Sequence, residues 1–121
     1  MSTVIREMTM RAETAPIHLS LHLVTTLNIA AADARRRVNR ELVTELGTGL
    51  IGRDPDLVIE GKQFFWRVPI VLSLPGLGDL GQVGHADVDA RTGEVLANEA
   101  MRDRIIQHAR MLYHGATLPA E

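Results

Sequence analysis

The stretch 63–74, QFFWRVPIVLSL, constrains the fold more than any other part of the chain. Phe64, Trp66, Val68, Ile70, Leu72 and Leu74 alternate with Phe65, Arg67, Pro69, Val71 and Ser73. A period of two places the first set on one face of an extended strand. So long an unbroken row of large apolar side chains predicts a sheet with that face buried under a second layer. Pro69 has no amide proton to give to a ladder, which predicts an edge position or a bulge there.

The second layer is written upstream. Over 29–46 the period changes: Ala31, Ala34, Val38, Leu42 and Leu46 fall on one helical stripe, with Asn28 as a candidate cap and Gly47 as a stop. The remaining segments read as strands. IHLSLHLVT, 17–25, alternates between Ile17, Leu19, Leu21, Leu23 and polar residues. DLVIE leads to a turn at Gly61-Lys62 and so into the long strand. PGLGDLGQVG, 75–84, reads as a flexible loop, followed by a hairpin at VDARTGEV. A last helix is predicted from Glu99 to His114, capped by Asn98 and stopped by Gly115. Its stripe is Met101, Ile105, Ala109 and Leu112, widened by Ile106 and Met111. Consecutive strands after one helix predict an α+β fold. The expectation is an antiparallel sheet of four to five strands, packed on the helix in the N-terminal half, with a second helix at the C-terminus. Residues 17–114 form this single domain, 1–16 a flexible tail, and 115–121 a C-terminal tail.

Composition narrows the function. At 121 residues and 45% apolar content the chain can build one modest core. A net charge of −2 gives no reason to expect nucleic acid or an anionic membrane as partner. The absence of cysteine excludes disulfides, thiolate metal sites and cysteine nucleophiles, and fits a cytoplasmic protein. Residues 17–32 are apolar enough to suggest a signal peptide. His18, His22 and Asn28 interrupt the run, however, and Glu7 and Glu13 stand where a basic region belongs. No run is long enough to span a membrane.

Several motifs dissolve when their chemistry is checked. GHADVDARTGEVLANE suggests a calcium loop. Counted from Asp87, the fifth position is Arg91, the sixth Thr92 and the twelfth Asn98, so ligands and the turn glycine are missing. Gly93 and Asp89 fit a tight turn instead. Gly76, Gly78 and Gly81 match a dinucleotide fingerprint, but QVGHADVD after them reads as a strand rather than a helix. His18 and His22 share a face without a third metal ligand dictated by spacing. His108 and His114 complement the dipole of the last helix. Arg35, Arg36, Arg37 and Arg40 read as a solvated helix face balanced by Asp33, Glu41 and Glu45. Asp87 and Asp89 share a strand face, yet no nucleophile or oxyanion signature accompanies them. No catalytic residue, cofactor or metal is expected.

The aromatic residues carry more. With Phe64 and Trp66 in the core, Phe65 and Val71 leave an apolar patch on the other face of the long strand. That patch is either an association surface or is covered by the N-terminal strand or tail. The candidate interaction surface is Phe65, Arg67 and Val71, with Tyr113 of the last helix. A rival reading is a small-ligand or enzymatic pocket between sheet and helix, lined by Trp66, His85 and Asp87.

The helix AAADARRRVNRELV, the aromatic strand and the hairpin residues Val88, Asp89, Ala90, Thr92, Gly93 and Val95 together resemble a PepSY domain over about 28–97. The whole chain is also similar to small cystatin-like proteins of bacteria. The resemblance implies a helix followed by an antiparallel sheet. It further implies a non-catalytic protein-binding module, self-associating or inhibitory, with antitoxin partnership among the roles of such proteins. The chain departs from the PepSY pattern in its glycine-rich stretch, in an added strand before and in an added helix after.

Overall fold

A computed structural model describes residues 8–10 and 27–117. The fold is α+β, as expected. Helix α1 begins as Ala31–Val38, passes through a π-helical segment Asn39–Val43 and closes with Thr44–Leu46. The strands are β1 (Met8–Met10), β2 (Leu50–Gly52), β3 (Asp56–Glu60), β4 (Gln63–Leu74), β5 (Gly78–Asp89) and β6 (Val95–Leu96), and helix α2 is Glu99–Thr117. All pairings are antiparallel, in the order β1-β3-β4-β5-β6, with β2 also on β4. β1 lies within the segment read as a tail. The strand expected at 17–25 is outside the described residues.

β4 is the centre of the sheet and has the bounds that its alternation predicts. One long side pairs with β5. The other pairs with β3 through Gln63–Arg67 and with β2 through Ile70–Leu72. Pro69 is therefore not on an edge. It sits in the gap where β3 gives way to β2, beside the register shift at Ile70/Val71. There its carbonyl accepts a hydrogen bond from the Arg53 amide at 2.9 Å. The missing donor falls where no flanking strand asks for one.

Both helices lie on the same face. Val68, Ile70 and Leu72 of β4 and Val83, Ala86 and Val88 of β5 form one buried cluster with Ala34, Val38, Leu42 and Ile105. The stripe of α2 is as predicted, except that Met111 is 66% exposed and widens nothing. Gly115 does not stop α2, which continues to Thr117. Asn98 does cap it, its side-chain oxygen accepting the Met101 amide at 2.8 Å. Asn28 does not cap α1. The cap is Ala30, and Asn28 instead donates its amides to Ala90 and Arg91 of the β5–β6 hairpin.

The glycine-rich stretch is a correction of a different kind. Its turn is only Pro75–Leu77, and β5 starts at Gly78. The later glycines face α2. A Cβ on Gly84 would stand 2.6 Å from Ile105 Cγ1, and one on Gly81 3.3 Å from Leu112 Cδ1. They let α2 lie directly on β5. Gly84→Ala is expected to lower unfolding stability by roughly 1–3 kcal/mol through overpacking. In an Ile105→Ala background the same change should cost almost nothing. Urea melts of the four-member cycle test this, and strict additivity would refute the contact.

Candidate functional site

The strand parity of β4 divides the sequence-derived candidates between two sides of the sheet. Cross-strand partners share a face, and the register pairs Arg67 with Asp87, Pro69 with His85, and Trp66 with Val88. Arg67, His85 and Asp87 thus lie on the face away from the helices, together with Phe65 and Val71. Trp66 lies on the helix side, where its indole N–H donates to the Ile29 carbonyl at 2.7 Å. The pocket of Trp66, His85 and Asp87 is therefore not assembled. Tyr113, on α2, is likewise on the other side from Phe65.

The helix-free face has a definite chemistry. Apolar side chains come from adjacent strands: Ile51 is paired with Val71, and Val58 with Phe65. Val58 is buried, and Ile51, Phe65 and Val71 are half-buried. Between the two pairs stands a two-pronged ion pair, Arg67 Nε to Asp87 Oδ1 at 2.9 Å and Nη2 to Oδ2 at 3.0 Å. Both side chains are about three-quarters buried, at 27% and 22% exposure. Such a fork holds the carboxylate by both oxygens, which suits positioning and not proton transfer. Asp89 is also engaged: Oδ1 accepts the Arg91 and Thr92 amides at 2.8 and 3.1 Å and shapes the hairpin turn.

That hairpin also anchors α1. Arg37 Nη1 donates to the Gly93 carbonyl at 3.1 Å. Gly93 itself has φ +79°, and a Cβ there would meet Arg37 and Ile29 within 3 Å. The other arginines of the helix are held locally too. Arg35 reaches Asp54 at 2.9 Å and the Gly52 carbonyl at 3.1 Å, and Arg36 reaches Asp33 at 3.2 Å. Arg40 lies 3.9 Å from Glu41. They form no open basic stripe of the kind that tracks phosphates.

Among the described residues no three His, Asp or Glu side chains converge on a possible metal position. His18 and His22 are outside those residues. His108 Nδ1 lies 3.2 Å from the Val83 carbonyl oxygen. No helix of the described residues is long and apolar enough to cross a membrane.

Two features escaped the sequence reading. Asn39 clamps the end of β2, accepting the Gly52 amide at 2.7 Å and donating to its carbonyl at 3.3 Å. It sits where α1 loosens into its π-helical segment. The second is the Arg53–Asp79 bond at 2.6 Å, between the loop after β2 and the start of β5. In comparisons with known families, curated proteins and solved structures, nothing matches this chain.

Asp79 has a measurable signature. The hydrogen bonds from Arg53 and then Ser73 hold its carboxyl below the usual 3.8, against a smaller opposing effect of desolvation. A depressed folded value means that this contribution to stability is present above the unfolded pKa. It is lost as pH falls through the folded one. In Arg53→Gln the Asp79 carboxyl should titrate closer to 3.8 by NMR. An unchanged titration would show that Arg53 is not the cause.

Proposed function

We propose that this chain is a non-catalytic binding module, similar to PepSY and cystatin-like domains, that associates with a second copy through the helix-free face of its sheet. The observation that supports this reading is the half-buried apolar side chains Ile51, Phe65 and Val71, which share the face of the sheet turned away from α1 and α2. Arg67 is paired with Asp87 on this face, and the register places Asp56 opposite Arg67 on its other side. The engaged states of Asp87 and Asp89 supply the complementary argument, since each carboxylate already has a structural task. The PepSY likeness is supported by the order of elements from residue 31 onward, a helix and then antiparallel strands, and by the VDARTGEV turn fastening that helix to the sheet end. An inhibitory or antitoxin-like role is the same surface meeting a foreign protein in place of a second copy.

Molar mass by light scattering tests the reading, with circular dichroism to establish that each variant is folded. The wild type should be a dimer, and Phe65→Asp and Val71→Glu monomers with at least a tenfold weaker association. A monomeric wild type at all concentrations would overturn self-association. So would folded variants that remain dimeric.

A further inference from the structure

The helix side of the sheet contains a cleft that the core does not fill. It lies between the C-terminal end of α1 with the loop after it and the second half of α2, and has a volume of about 460 Å³. Leu72 and Leu74 of β4 line it with Leu46 and Leu50 on one side and Ile106, Ala109 and Tyr113 on the other. Arg110 and His114 also line it, and the lining holds no acidic side chain. Arg110 makes no ion pair among the described residues, unlike Arg35, Arg36, Arg53, Arg67 and Arg102. Leu46, Leu50, Leu74 and Ala109 also touch the main core, so the cleft is a continuation of it that opens to solvent.

We infer that this cleft binds an unbranched aliphatic carboxylate, its hydrocarbon chain lying on Leu74 and Ile106 and its carboxylate on Arg110. The volume is in the range of small-molecule sites, which run from about 300 to 1,000 Å³. The apolar lining excludes a fully polar anion. The guanidinium favours a carboxylate over an uncharged head group, because a planar fork matches two oxygens. His114, one helical turn beyond Arg110, adds a second donor at the same rim. This site is on the opposite side of the sheet from the proposed association surface and does not depend on it.

Calorimetric titration with decanoate, kept below its micelle concentration, tests the assignment on the full chain. Decanoate should bind saturably at one site per chain. Each pair of methylenes removed, from decanoate to octanoate to hexanoate, should weaken binding by roughly tenfold or more. Arg110→Gln is surface-exposed and should remain folded. It should weaken decanoate by about tenfold while leaving decan-1-ol unchanged. Ile106→Gln, in the wall, should weaken both. Absence of saturable decanoate binding would overturn the proposal. Equal loss of decanoate and decan-1-ol in Arg110→Gln would refute the assigned head-group site. In amide NMR spectra the shifts caused by decanoate should centre on Leu50, Leu72, Ile106 and Ala109. Shifts centred on Phe65 and Val71 would place the ligand on the other face and refute the cleft.

Discussion

One face of β4 must be kept from water along its whole length, and the rest of the domain is arranged around that need. A strand of 12 residues is roughly 40 Å long at ~3.3 Å per residue. Helix α1, spanning 31–46, is about 24 Å long at ~1.5 Å per residue. One such helix cannot cover the face. α2 completes the cover, and the close approach that this requires is made at Gly81 and Gly84, where β5 has no side chain to hold it off. The start of α2 meets the C-terminal end of α1 through Arg102 and Glu45, 3.0 Å apart, and the second half of α2 leaves a seam beside the loop after α1, over Leu72 and Leu74. The open seam follows from covering one long strand with two short cylinders.

The hairpin at the end of β5 holds the first of those helices in place. Its sequence suggests a metal loop because acidic side chains and a glycine recur in a turn. In the structure Asp87 is held by the Arg67 fork, and the turn residues after it have backbone tasks. Asp89 receives the turn amides, Ala90 receives and gives main-chain bonds to residues 28, 29 and 64, and Gly93 makes room for Arg37 and Ile29. The indole N–H of Trp66 donates to the carbonyl of Ile29. Helix, strand and turn are thus tied at a single corner. Any substitution that enlarges Gly93 strains both its left-handed backbone and this corner.

Period-two alternation made β4 legible to the residue, because large apolar side chains on one parity leave no other way of burying them. The α2 stripe was legible for the same reason at period 3.6. What sequence could not supply was register. Parity along one strand puts His85 with Asp87, but only the pairing of β4 with β5 decides that Trp66 faces the opposite way. Glycine was the other ambiguous signal. Gly61 does make the expected turn and Gly47 the expected stop, with φ of 61° and 138°. Gly81, Gly84 and Gly115 read like further breaks, yet two of them admit a neighbouring helix and the third continues one. The absence of a side chain permits a turn and a close approach equally, and the choice is made by packing that is remote in sequence.

The same strand supplies both proposed surfaces. Leu72 and Leu74 line the cleft, while Val71, between them and the core residue Ile70, is on the face of the proposed association. A ligand in the cleft and a second copy on the far face therefore never touch, and sterically neither excludes the other. Energetic coupling between them requires a shift of β4 itself. β4 is held by β5 along one side and by β2 and β3 along the other, so the softest place for such a shift is the irregular register between Ile70 and Ser73. That segment carries Leu72 on one side and Val71 on the other. If the two sites communicate, binding of decanoate should change the dimerisation constant. By reciprocity, dimerisation should then change decanoate affinity by the same factor. Equal affinities in the wild type and in monomeric Phe65→Asp would show that β4 is a rigid wall between two independent sites.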